Sequence, residues 1–201
     1  MVEFLVSFGL LVIAMSVHEA SHAFTAYSLG DSTAKQFGRL TLNPLAHIDF
    51  FWTFLLPLFL FMTTNGRFVF GAAKPVPVNY WLLKHPKRDM ILIGASGPLA
   101  NFIFAAALAG LLKVIPGGTV LSLLLANLLF INVVLGVFNL IPIPPLDGSR
   151  ILMGLLPNKL SNFYSRIEPF ALIILVVLIW MGALNTVLWP AVAAILRLLG
   201  V

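Results

Sequence analysis

Two histidines and a glutamate stand together in His18-Glu19-Ala20-Ser21-His22. On an α-helix four residues turn through about 400°, so the two imidazoles lie one turn apart on one face. They can hold a single zinc ion there, with Glu19 within reach of a water at the ion's open position. A catalytic zinc takes a third protein ligand, and His47, Asp49, His85, Asp147 and Glu168 are the candidates. Spacing alone does not choose among them.

The residues around the motif set its solvent. Of 201 residues, 60% are hydrophobic and 9% are charged, and the mean hydropathy is +1.03. A water-soluble domain carries about a quarter of its residues charged, so most of this surface faces a lipid bilayer. Ionisable side chains inside a membrane helix are expensive and mark function. The net charge of +5 comes from basic residues at the ends of apolar runs, as in membrane anchors, and not from a polar platform with stacking aromatics; no nucleic-acid partner is expected. Cysteine is absent, so metal donors must be nitrogen and oxygen. Met1 to Glu3 has no Lys or Arg, and no small-residue cleavage site follows, so the first apolar run is expected to be retained.

Apolar stretches cover 4–29, 48–64, 90–113, 119–141 and 169–189, with a tail over 190–201. Stretch 48–64 has Pro57 in its middle and is short for a span, so it either crosses or dips in and returns. If it crosses, eight and four basic residues fall on the two sides; if it returns, ten of the twelve share one side. The second partition obeys the positive-inside rule better. It places the N-terminus outside and both 30–89 and 142–168 on the cytoplasmic side. Helices 4–29 and 119–141 then run parallel, and Asp147, just past Pro142, Pro144 and Pro145, ends at the depth of the histidines. This favours Asp147 as third ligand. Small residues along 90–113, among them Gly94, Gly97 and Gly110, mark a central helix. No internal repeat supports an inverted-repeat transporter.

With these residues in view, the chain resembles the site-2 protease family of intramembrane zinc metalloproteases in its compact form, without an inserted peptide-binding domain. The resemblance rests on five ordered motifs. The first is His18-Glu19-Ala20-Ser21-His22, and the second is Gly38-Arg39-Leu40-Thr41-Leu42-Asn43-Pro44 with His47-Ile48-Asp49. Ala73-Lys74-Pro75-Val76-Pro77-Val78 and Gly97-Pro98-Leu99-Ala100-Asn101 follow, and Asn139-Leu140-Ile141-Pro142-Ile143-Pro144-Pro145-Leu146-Asp147-Gly148 is the last.

The resemblance implies one zinc ion per chain held by His18, His22 and Asp147, with Glu19 as general base. It implies that Asn139 binds the oxyanion or positions substrate, and that Asn101 lies near the site and holds substrate; the alternative for both asparagines is interhelical hydrogen bonding. The fold expected is an all-α polytopic membrane protein, about four to six transmembrane helices with a small membrane-associated β-hairpin or re-entrant segment. Residues 1–201 form one intramembrane metalloprotease domain, with a zinc-motif helix at 4–29 and a re-entrant or β segment at 48–80. Core helices occupy 90–113 and 119–141, and a C-terminal membrane segment occupies 169–201. Phe68-Val69-Phe70 reads as an edge strand to which an unwound substrate adds. The expected partners are transmembrane protein substrates, and the expected location is a prokaryotic cell membrane with the active site toward the cytoplasm. The competing reading is a metal or proton transporter using the same His, Asp and Glu residues.

Overall fold

The computed structural model describes residues 2–64, 71 and 73–201. All regular structure among them is helical: α1 (Val2–Ser28), α2 (Thr33–Gln36), α3 (Leu56–Thr64), α4 (Pro86–Leu112), α5 (Val120–Asn139), α6 (Asp147–Leu155), α7 (Asn158–Ser165), α8 (Ala171–Trp180) and α9 (Asn185–Leu199), with short 3-10 and π turns between. Among the described residues, four helical runs are long and apolar enough to cross a bilayer: Phe4–Ser28, Pro86–Leu112, Val120–Asn139 and Asn158–Trp180. The chain is a multi-pass membrane protein.

The ends of these helices follow local chemistry. At the end of α1 the backbone turns left-handed at Gly30 (φ 107°), and the Asp31 N–H reaches back to the Ala26 carbonyl at 2.9 Å. Helix α4 starts at Pro86, earlier than the apolar run at 90: proline suits the first helical turn, and the Asp89 carboxylate accepts the His85 N–H at 3.0 Å. Thr119 caps α5 by accepting the Ser122 N–H at 3.1 Å, and Pro142 follows soon after its last residue. The apolar stretch 169–189 is not one helix. Helix α8 stops at Trp180, Gly182 turns at φ 69°, and Pro190, read as opening the tail, lies inside α9.

Direction is fixed by contacts. Along α1 the residues 18, 21 and 22 meet 101, 96 and 93 of α4, so the two helices are antiparallel. The short connection from Lys113 to Thr119 makes α4 and α5 antiparallel as well. Helices α1 and α5 are therefore parallel, and the long segment between α1 and α4 leaves and returns on one face of the bundle. Within it, a π turn at Phe50–Leu55 leads directly into the 9 residues of α3, and the two together, about 20 Å of helix, are shorter than the hydrocarbon thickness.

No strand occurs among the described residues, so the expected β-hairpin is not found there. Phe68, Val69 and Phe70 lie outside the described residues. The stretch 73–79 is irregular and is held by the Glu19 and Asp31 side chains and the His47 carbonyl, not by a ladder. Pro75 and Pro77 have no N–H, and the Val76 N–H goes to Glu19.

The core joins α1, α4, α5 and α9 through Ala14, Ala105, Leu108, Leu129, Val133 and Val192. Close approach depends on glycine. A Cβ on Gly136 of α5 would lie 2.6 Å from the Phe102 ring of α4, whereas one on Gly110 meets nothing within 4 Å. Gly136→Ala is expected to destabilise the bundle by about 1–3 kcal/mol through overpacking, and Gly110→Ala to leave it unchanged or slightly firmer. Thermal unfolding of the two variants in detergent micelles checks this.

Candidate metal centre and its cavity

His18 and His22 are buried on the inner face of α1, and the chain that leaves α5 brings Asp147 to them at the first turn of α6. The Asp147 Oδ2 lies 2.9 Å from His18 Nε2 and 3.2 Å from His22 Nε2, and the two Nε2 atoms are 3.1 Å apart. Ligand atoms about 2.0–2.1 Å from a tetrahedral ion stand about 3.3 Å from one another, close to this triangle. The other ring nitrogens are committed elsewhere. His18 Nδ1 faces the Asn101 Oδ1 at 2.6 Å, and His22 Nδ1 faces the Ile93 carbonyl at 2.7 Å. Both oxygens only accept, so each neutral ring carries its proton on Nδ1 and turns a bare Nε2 to the common point. The nitrogen and oxygen donor set fits a divalent cation such as zinc.

Of the candidates for a third ligand, Asp147 alone joins the histidines in a cluster among the described residues. Asp49 accepts the Phe51 N–H at 3.0 Å, His85 stands at the cap of α4, and Glu168 pairs with Arg150 at 2.8 Å. His47 is buried away from the cluster, its Nε2 2.9 Å from the Thr41 carbonyl. No second cluster of potential metal ligands occurs among the described residues, so the relay of sites that a transporter needs is not seen there.

The cluster lies in the wall of a cavity of about 560 Å³, shared by α1, the stretch around Val76, α5, α6 and α8. Glu19, next to His18 on α1, lines it and accepts the Val76 N–H at 3.1 Å. Asn139, at the end of α5, lines it too, giving one amide hydrogen to the Leu135 carbonyl at 3.0 Å. Arg150 follows Asp147 by one helical turn, and its guanidinium lies 5.9 Å from the Tyr80 ring centre. Burial pushes the Tyr80 hydroxyl above its ordinary range while Arg150 pulls it down, and the phenol stays neutral.

Asn101 lies near the site but not in the cavity wall. It is 0% exposed, behind His18, and its hydrogen bonds go to His18, to the Ala14 carbonyl at 3.2 Å and to Asn132 Oδ1 at 2.8 Å. These are the interhelical bonds expected as the alternative to a substrate contact. Asn132 and the buried Asp31 were missed in the sequence. An asparagine in the middle of an apolar helix was the available signal for the first, and Asp-Ser-Thr after a helix-ending glycine for the second.

Gly97 makes room for the rings: a Cβ there would lie 2.4 Å from His22 Nε2 and 2.7 Å from His18 Cε1. Gly97→Ala is expected to leave the helices folded and to abolish stoichiometric metal, as read by elemental analysis of purified protein.

A family model for peptidase family M50 matches residues 118–182, which include Asp147. The chain is 36% identical over 193 residues to YwhC of Bacillus subtilis, covering 92% of this chain and 84% of that one. It is 32% identical over 176 residues to Rip2 of Mycobacterium tuberculosis, covering 87% of this chain and 66% of that one. A 76-residue stretch is 40% identical to zinc metalloprotease MJ0392 of Methanocaldococcus jannaschii, covering 38% of this chain and 22% of that one. No solved structure matches the chain at a significant level. A relative matched over nearly its whole length, and a metal-ligand cluster within a helical membrane bundle, place the chain in peptidase family M50, the site-2 protease family of intramembrane zinc metalloproteases.

Proposed function

We propose that the chain, acting as one intramembrane protease domain over residues 1–201, uses a single zinc ion to hydrolyse peptide bonds in or near the transmembrane segments of membrane proteins. The observation that carries this is the convergence of His18, His22 and Asp147 at the wall of a cavity that Glu19 also enters. His18, His22 and Asp147 are the ligands, and the bare Nε2 atoms are what such an ion requires. A zinc ion held there supplies a Lewis acid for the scissile carbonyl and lowers the pKa of water.

The protein's own groups do the rest. Glu19, with its carboxylate steadied by the Val76 amide, takes a proton from the attacking water and passes it to the leaving amine. Asn139 has a second amide hydrogen, which it gives to the oxyanion as charge develops. A substrate helix hides its carbonyls in its own hydrogen bonds, so it must unwind before attack. The stretch 73–79, with Phe68, Val69 and Phe70, receives the unwound chain. Of this stretch, Pro75 and Pro77 can accept hydrogen bonds but cannot donate them. The active site opens to the cytoplasm of a prokaryotic cell membrane, in line with ten basic residues on that side.

Purified protein is expected to hold about one zinc per chain, lowered by His18→Ala, His22→Ala or Asp147→Ala. Glu19→Gln is expected to keep the metal yet slow cleavage of a model transmembrane substrate by about 10²–10⁴, as expected on loss of a general base. Full zinc in Asp147→Ala, or undiminished cleavage by Glu19→Gln, contradicts the assignment.

Single cysteines placed at Lys35, Lys87 and Asn158 should react with a membrane-impermeant reagent from the cytoplasmic side, and one at Gly117 from outside. Opposite labelling of Lys35 and Lys87 refutes the orientation.

A further inference from the structure

Asn132 touches neither the cavity nor the ligand triangle, yet it is 0% exposed in the middle of α5, between the apolar Leu129 and Val133. Polar groups so placed need partners on other helices or on their own backbone. Asn132 has both: its Nδ2 donates to the Leu128 carbonyl at 2.8 Å, and its Oδ1 accepts from Asn101 Nδ2 at 2.8 Å. Asn101 in turn presents its Oδ1 to His18 Nδ1 at 2.6 Å.

The direction of this chain is decided at its far end. A backbone carbonyl can only accept, so Leu128 fixes which end of the Asn132 amide faces it and turns the Asn132 oxygen toward Asn101. That oxygen fixes the Asn101 amide, and the Asn101 oxygen can only accept from His18. If Asn101 flipped, its NH₂ would face His18 Nδ1. The ring would then prefer its proton on Nε2, the atom that must be bare to bind metal. The Ala14 carbonyl also favours the observed orientation of Asn101, but at 3.2 Å it is the longer of the two contacts.

We infer that Asn132 is a positioning residue for the metal centre: through the Asn101 amide it sets the tautomer of His18 and so raises metal affinity from outside the site. This rests on the reading of His18 as a zinc ligand.

The test is a double-mutant cycle read by zinc affinity, using chelator competition on the purified protein. Asn132→Leu is close in size and removes both hydrogen bonds. It is expected to weaken zinc by about tenfold, the lower end for loss of an outer partner of a ligating histidine. Asn132→Asp, protonated at this depth, keeps one donor and one acceptor and is expected to restore affinity close to wild type. In an Asn101→Ala background, Asn132→Leu should have no further effect, because its path is already cut.

Metal-free unfolding temperature and helix content separate this from a general loss of structure, and Asn132→Ala serves if the leucine variant does not fold. Unchanged zinc affinity in Asn132→Leu overturns the inference. So does an equal loss in the Asn101→Ala background, or a failure of Asn132→Asp to restore binding in a folded protein. Wild-type protein that binds no zinc at all overturns the ligand reading itself, and the inference with it.

Discussion

A polar atom at the depth of hydrocarbon has no water to turn to, and this requirement organises the molecule around one cluster. His18, His22 and Asp147 bring two imidazoles and a carboxylate into a helical bundle, and each outward-facing nitrogen must find an acceptor within the protein. Helix α4 supplies these acceptors through Asn101 and Ile93, and its Ser96 carbonyl takes the Ser21 hydroxyl at 2.9 Å. To reach them it must lie against α1, and Gly97 is the position where backbone nearly touches ring. The small residues of α4 thus follow from the site as much as from helix packing in lipid. At Gly148 the same pressure acts on α6, where a Cβ would come within 2.2 Å of the Leu140 carbonyl. The turn that delivers Asp147 folds back tightly on the end of α5.

The long segment between α1 and α4 contains irregular backbone, which a membrane protein tolerates only where protein or water satisfies it. Its pins are polar and specific. Asp31 accepts the Thr33 N–H at 2.9 Å and the Asn79 N–H at 2.7 Å, the Lys74 N–H goes to the His47 carbonyl at 2.9 Å, and Arg39 reaches the Ala46 carbonyl. Val76 is thereby held against Glu19. A backbone amide given to that carboxylate limits its rotation while leaving its second oxygen for the cavity.

How much of this is legible in the sequence depends on whether local spacing carries it. The pairing of His18 with His22 is a helical period, and the parallel run of α1 and α5 follows from the distribution of Lys and Arg, which brings Asp147 to the right depth. The roles of Asn101 and Asn132 depend on which way two amides face in a packed interior, and no period encodes that. The break at Gly182 hides within a run whose hydropathy is uniform. Phe68-Val69-Phe70, read as a strand from its composition, lies outside the described residues. In the described stretch that follows, Pro75 and Pro77 remove two donors that a ladder would need.

The size and lining of the cavity constrain how a substrate can meet the cluster. The cavity beside the cluster has a volume of about 560 Å³. A substrate chain that unwinds there exposes backbone N–H and C=O groups that the lipid cannot satisfy. Leu172 and Leu175 of α8 give the cavity apolar lining, and Pro75, which also lines it, has a carbonyl but no N–H. Substrate N–H groups can be taken up there. Asn139, Arg150 and Glu19 bring polar side chains to the same lining, beside the histidine and aspartate cluster. A chain unwound there meets apolar surface from α8 and polar groups from α1, α5 and α6 within one cavity.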